Sequence, residues 1–219
     1  MRGTTLTGRI AAGRVPLAVK LAYTAFMAVL VPSYLAWWGP TNFAYFCDQA
    51  LLLVLVGIWL ESPLLISLCA VGILAPQALW VADFAATAVG RPITGMTAYM
   101  FDASNPPATR ALSLFHGWLP FLLAYLVYRL GYDRRALAGW TVMSAVTLLS
   151  CWLFLPGPRP DAGATPVNVN YVWGPSDAVA QAWMPPLAWL GLLVVGLPLA
   201  FYLPTHLLLR RLAPAPRVA

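Results

Sequence analysis

Charge is what this sequence has least of. Of its 219 residues, 9% are Asp, Glu, Lys or Arg, only seven are acidic and two are histidine. A water-soluble domain carries about 25% charged residues, so an ordinary soluble domain is excluded. The three cysteines, Cys47, Cys69 and Cys151, lie inside apolar stretches with no C-x-x-C spacing and an odd total. Neither a disulfide framework nor a thiolate metal site is predicted from them. No glycine-rich phosphate loop, haem-attachment motif or redox pair occurs, so no cofactor is expected. The basic residues form no stripe interleaved with aromatics, so the net charge of +6 is not read as a nucleic-acid footprint.

What is present is apolar sequence in long runs, 61% of the chain. Several runs approach the ~20 residues needed to cross about 30 Å of hydrocarbon. No alternation of the kind a transmembrane barrel needs is seen. The predicted fold class is all-α: a polytopic membrane protein with a bundle of about six transmembrane helices. Residues 1–15 form a basic, polar N-terminal segment. The apolar run after it is too long for a signal-peptide core, so it is read as a retained first helix. The six-helix domain covers 16–208 and a basic tail covers 209–219. The helices are predicted at about 16–38, 42–60, 63–84, 108–130, 136–155 and 184–208. The 85–107 connection has room for a short interfacial helix, and 156–183 is rich in Pro, Gly and Asn. No internal repeat is evident, which argues against a repeat-built transporter.

Six passes put both termini on one side of the membrane. Arg2, Arg9, Arg14, Lys20, Arg129, Arg134, Arg135, Arg210, Arg211 and Arg217 fall on the terminal side, and Arg91, Arg110 and Arg159 on the other. These ten and three account for all thirteen basic residues. By the positive-inside rule both termini are expected in the cytoplasm, in a bacterial cytoplasmic membrane, with the two long connections facing outward.

Polar side chains within a membrane span are costly, so their positions carry information. Gly39-Pro40-Thr41-Asn42-Phe43-Ala44-Tyr45-Phe46-Cys47-Asp48-Gln49 places five polar side chains at the head of the second helix. Thr41 or Asn42 is expected to cap that helix, and Thr41, Tyr45 and Asp48 share a helical face at i, i+4 and i+7. At 1.5 Å per residue, Asp48 and Gln77 lie roughly 9 Å deep and His116 roughly 12 Å deep, all in the outer half. Asn168 and Asn170 sit in the connection on the same side. His116 has three readings: a structural histidine bonded to Asp48 or to a carbonyl, a general base, or a metal ligand. Metal is disfavoured, since no second histidine or cysteine pair lies at that depth. The catalytic candidates are Thr41 (or Cys47) as nucleophile, His116 as base, Asp48 as its orienter and Asn42 as an oxyanion donor. Tyr45, Gln49, Gln77, Asn168 and Asn170 are candidates for substrate contact. Each also has a structural reading, as cap, packed thiol or interhelical polar contact. Arg110 is an interfacial arginine able to meet a lipid phosphate.

Tyr23-Thr24-Ala25-Phe26, Leu60-Glu61-Ser62-Pro63, Tyr99-Met100-Phe101-Asp102, Leu112-Ser113-Leu114-Phe115-His116-Gly117-Trp118-Leu119-Pro120 and Gly131-Tyr132-Asp133-Arg134-Arg135 span most of the chain. In these phrases it resembles a group of small, uncharacterised bacterial membrane-associated proteins, which brings no activity with it. Thr41, with His116 and the following Leu119-Pro120, is similar to the threonine and histidine of the androgen-induced and androgen-dependent integral membrane hydrolases. That resemblance covers two short motifs and implies cleavage of fatty-acid esters of hydroxy fatty acids. The expected function is therefore a lipid-ester hydrolase or acyl transferase in the membrane. The competing readings are a non-catalytic carrier of a lipid or small apolar molecule, and a structural subunit of a membrane complex. Membrane lipids are the expected partners, nucleic acid is not, and protein partners are left open.

Overall fold

A computed structural model describes residues 15–216. Arg2, Arg9, Arg14 and Arg217, counted above for orientation, lie outside the described residues. The described chain is all-helical, with no strand among those residues. The helices are α1 (Leu17–Trp37), α2 (Phe46–Trp59), α3 (Pro63–Ala88), α4 (Pro107–Ser113), α5 (Phe115–Leu130), α6 (Ala136–Phe154), α7 (Pro186–Leu197) and α8 (Leu203–Leu212). Among the described residues, five stretches are long and apolar enough to cross a membrane: α1, α3, α4 with α5, α6, and α7 through α8. α2, at 14 residues, reaches only about 21 Å.

The helices run alternately up and down. Lys20 near the start of α1 pairs with Glu61 after α2 at 2.7 Å. Ser67 near the start of α3 accepts the Asp133 N–H from the α5–α6 turn at 2.9 Å. Tyr132 in that turn bonds His206 of α8 at 2.6 Å. Both ends of the described chain therefore lie at one end of the bundle.

α3 is the central helix, packed against α2, α5 and α6. Between lipid-immersed helices, close van der Waals contact replaces the hydrophobic drive of water-soluble cores, and small residues permit that contact. Gly72 of α3 lies directly under the indole of Trp140 on α6, so that a Cβ added there would land on the ring. Gly57 faces Ile66 and Gly139 faces Leu68, with added Cβ positions 2.8 and 2.6 Å from those side chains. Trp140 is fully buried. Around this core, Phe121 (77% exposed) and Phe154 (79% exposed) point outward with many other large apolar side chains, as a lipid-facing surface requires.

Four helix assignments differ from expectation. The predicted second helix is broken: Pro40–Ala44 forms a 3-10 turn, Tyr45 is extended (φ −65°, ψ 141°), and α2 starts at Phe46. The third helix runs four residues further than predicted, to Ala88. The fourth divides at Leu114 into α4 and α5. The last contains a π turn at Pro198–Tyr202, where Pro198 has no N–H to give the ladder, and α8 continues to Leu212 beyond the predicted end at 208.

Gly72→Ala is expected to cost about 1–3 kcal/mol by overpacking against Trp140. Thermal unfolding in detergent measures it. In a double-mutant cycle, Trp140→Leu should relieve most of that loss, because the strain is the ring contact and not a property of glycine itself.

Candidate functional site

The break before α2 is made from 124 residues away. Asn170 donates its amide to the Ala44 carbonyl at 2.8 Å and accepts the Phe46 N–H at 3.3 Å, one bond on each side of Tyr45. Asn170 itself adopts a left-handed conformation (φ 57°), as does Asn168 (φ 48°), which asparagine tolerates better than most residues. Asn168 donates to the carbonyls of Gly174 (2.8 Å) and Ser176 (3.0 Å) and accepts the Trp173 N–H (2.9 Å). Both asparagines proposed for substrate contact thus have their amides engaged with the backbone of their own end of the bundle. Tyr45 is half-buried against the cluster of Leu148, Cys151, Val169, Val172 and Leu190. Gln49 donates to the Ala44 carbonyl (3.3 Å) and accepts from Thr147 (3.1 Å). It borders a cleft of about 240 Å³ lined also by Ser150 and Cys151.

The break relocates Asp48. It lies in the first turn of α2 rather than well inside a longer helix, so Thr41, Tyr45 and Asp48 do not share a continuous helical face. Neither Thr41 nor Asn42 caps α2; the residue at that position is Tyr45, with no side-chain capping bond. Asn42 instead donates to Asp48 Oδ2 at 3.3 Å, and the Cys47 thiol donates to the same oxygen at 3.6 Å. Asp48 is 3% exposed, and its Oδ1 has no hydrogen-bond partner. The Thr41 hydroxyl is likewise buried without a partner. The exposed N–H groups of a helix's first turn favour a negative group, which offsets part of the cost of placing a carboxyl there.

A second group of polar side chains lies where α5 begins. Tyr34 of α1 bonds Ser113 at 2.7 Å. The Ser113 hydroxyl donates to the Thr109 carbonyl at 3.1 Å, so Tyr34 is the donor to Ser113. The Ser113 carbonyl takes His116 Nδ1 at 2.8 Å. A carbonyl only accepts, so Nδ1 carries the proton and Nε2 of the neutral ring keeps its lone pair. The imidazole is stacked between Trp80 (centroids 4.4 Å apart, 13°) and Phe115 (4.0 Å, 27°). Tyr99 approaches Ser113 and Trp80 from the 85–107 connection. Its hydroxyl is pushed well up by burial, against hydrogen bonds to those two residues.

Asp48 and His116 thus lie toward the same end of the bundle, each with its own partners and with no hydrogen bond between them. The orienting contact on the imidazole comes from the Ser113 carbonyl rather than from Asp48. Gln77, one α3 turn from Trp80, is 2% exposed with neither amide atom partnered. Among the described residues no three His, Cys, Asp or Glu side chains come together as a metal site would require.

Tyr34, Ser113 and Tyr99 were missed as members of the group around His116. Ser113 had a signal, three residues before His116 and so on the same helical face. Tyr34, in an apolar run next to Pro32 and Ser33, had almost none. Asp83 was also underrated. It is fully buried, and residues 93–97 wrap around its carboxylate. Oδ1 accepts the N–H groups of Ile93 (2.8 Å), Thr94 (2.6 Å) and Gly95 (3.1 Å), and Oδ2 accepts the Thr97 N–H (3.0 Å) and hydroxyl (2.6 Å). This loop fixes the 3-10 turn Ala98–Met100 that carries Tyr99.

The chain matches no protein-family model, no curated protein and no solved structure.

Asp83→Ala is expected to cost about 2–4 kcal/mol, because it leaves four backbone donors without their acceptor. Hydrogen exchange should rise first at the amides of 93–97, and thermal unfolding in detergent gives the total.

Proposed function

We propose that the chain is a six-pass integral membrane enzyme with both termini in the cytoplasm, acting on an acyl ester of a lipid by hydrolysis or acyl transfer. α2 makes the sixth pass together with its 3-10 turn, and the basic residues at the terminal end of the bundle support the orientation. The observation that carries the chemistry is the Asn42–Asp48–Cys47 contact. It pairs a nucleophilic side chain with a hydrogen-bonded carboxyl, at the end of the bundle that also holds an imidazole with a preset tautomer. This favours Cys47 over Thr41 as nucleophile, since the Thr41 hydroxyl has no hydrogen-bond partner. In this reading the Cys47 sulfur attacks the ester carbonyl and its proton passes to Asp48. Asp48 returns that proton to the departing alcohol, and His116 Nε2 then takes a proton from the water or alcohol that attacks the thioester and gives it to the departing Cys47 thiolate. Asn42 holds the Asp48 carboxyl in place. The outward-facing end of the bundle is where a lipid ester meets these groups, in the outer leaflet.

A second reading, binding of a lipid or small molecule without bond chemistry, is favoured by one observation. Gln77 offers a buried, unpartnered amide of the kind that accepts a ligand's polar group.

Turnover of a fluorogenic medium-chain ester in mixed micelles separates the two. Cys47→Ala and His116→Ala are each expected to lower kcat/KM at least a hundredfold, with Thr41→Ala near wild type. Equal turnover in all three variants would remove the catalytic reading. A lipid that co-purifies chemically intact, and is lost in Gln77→Leu, would establish the binding reading instead. Asp48→Asn keeps the shape and one acceptor oxygen, so its thermal stability in detergent should stay within about 1 kcal/mol of wild type. Its turnover should fall with that of Cys47→Ala. A large loss of stability with turnover retained would make Asp48 a structural group.

A further inference from the structure

Among the described residues, basic side chains outnumber acidic ones at the end of the bundle opposite Asp48. The chain has seven acidic residues, and only Glu61 and Asp133 lie at that end. Both are engaged. Glu61 pairs with Lys20 at 2.7 Å. Asp133 is gripped by Arg135, with Nη2 to Oδ2 at 2.7 Å and Nε to Oδ1 at 3.1 Å, which holds its carboxyl below the usual carboxylate range. Among the described residues Arg134 and Arg210 form no ion pair.

These two arginines line a pocket of about 370 Å³ with Tyr132, Ala213, Pro214, Ala215 and Pro216. Its walls are built. The Tyr132 N–H donates to the Pro214 carbonyl at 2.8 Å, which lays the segment after α8 across the α5–α6 turn. Gly131 (φ 91°) lets the two backbones meet, because a Cβ there would collide with the Ala215 carbonyl. Tyr132 is buried, and its hydroxyl is tied to His206 Nδ1 at 2.6 Å. Burial, then Asp133, push that hydroxyl up to about 12 while the nearby Arg210 pulls it back.

Two guanidiniums facing one pocket repel each other unless an anion lies between them. A guanidinium presents its donors as a planar fork that matches two oxygens of a phosphate. A pocket of this volume is within the range, about 300–1,000 Å³, that small ligand groups occupy. We propose that Arg134 and Arg210, over Tyr132 and between the α5–α6 turn and residues 213–216, form a binding site for a phosphate group. Two sources share that chemistry: the headgroup of a phospholipid at the bilayer surface, where basic pockets beside membrane helices collect such groups, and free phosphate. The site lies at the far end from Cys47 and His116 and stands independently of the ester reading.

The test is thermal unfolding of the full chain in neutral detergent, titrated separately with dioleoylphosphatidylglycerol, with dioleoylglycerol (which lacks the phosphate), and with inorganic phosphate at constant ionic strength. The phospholipid is expected to raise Tm in a saturable way, and dioleoylglycerol is not. A saturable shift with inorganic phosphate that competes with the phospholipid would assign the site to free phosphate, and its absence would assign it to the headgroup. Arg134→Gln with Arg210→Gln should weaken the apparent affinity at least tenfold, while Arg211→Gln leaves it unchanged. Should the glutamine pair fold poorly, Arg134→Lys with Arg210→Lys keeps both charges and loses the forks, with several-fold weaker affinity expected. Equal shifts with dioleoylglycerol and phospholipid would overturn the proposal. So would no shift with either phosphate compound, an affinity unchanged in both double variants, or an equal loss in Arg211→Gln.

Discussion

The close approach of α3 to its neighbours sets everything else in place. Once helices are immersed in hydrocarbon, burying one more leucine gains little, because the tails of the lipid are as apolar as the side chain. What remains is contact distance, and small residues decide it. Gly72 under Trp140, Gly57 against Ile66 and Gly139 against Leu68 let side chains of α3 and α6 seat directly on the facing backbone. α3 then carries its polar residues to both ends of the bundle. Ser67 anchors the α5–α6 turn at one end, while Trp80 stacks on His116 and Asp83 organises the 85–107 connection at the other. A helix held less tightly would leave neither end defined.

The cluster at Asp48 gains its meaning from comparison with Asp83. Both are carboxyls buried near the same end of the bundle. Asp83 receives five hydrogen bonds through its two oxygens, so its burial is repaid in full and its role is to hold a loop. Asp48 receives one long amide bond and one thiol contact on a single oxygen, and the other oxygen has none. An unpartnered buried polar atom costs about 1–3 kcal/mol, and structure alone gives no return for it. The same imbalance recurs at Thr41 and at Gln77. Asp48, Thr41 and Gln77 thus keep buried polar atoms that the fold leaves unpaired, while Asp83 is paired on both oxygens.

How much of this could be read from the chain depends on the range of the interactions involved. The spanning helices were legible because apolar length is a local property, and the sharp turn at Gly131–Arg135 because glycine and charge announce it. The convergence of Asp48 and His116 on one end followed from counting residues along alternating helices. The break at Tyr45 was not legible, since Asn170 imposes it from a different part of the chain, and with it went the supposed shared face of Thr41, Tyr45 and Asp48. The π turn at Pro198–Tyr202 had a local cue in Pro198 that period counting passes over. The partners of His116 divided in the same way: Ser113 is a helical neighbour and readable, whereas Tyr34 reaches the cluster only through the packing of α1.

The two ends of the bundle also solve opposite electrostatic problems. At the Asp48 end, carboxyls outnumber nearby guanidiniums, and the fold answers with N–H donors, helix polarity and aromatic faces. At the other end arginines outnumber carboxylates, and the two available acids are already taken by Lys20 and Arg135. Backbone carbonyls can satisfy guanidinium hydrogens but cannot cancel two like charges facing one pocket. A helical membrane protein of net charge +6 can carry that excess only where water or anions reach it. Two of these charges, Arg134 and Arg210, line the pocket built against residues 213–216. A surface tail left to solvent would have no need of the Tyr132–Pro214 bond or of a glycine at 131. That the fold supplies both argues that the position of the charge matters as well as its sign.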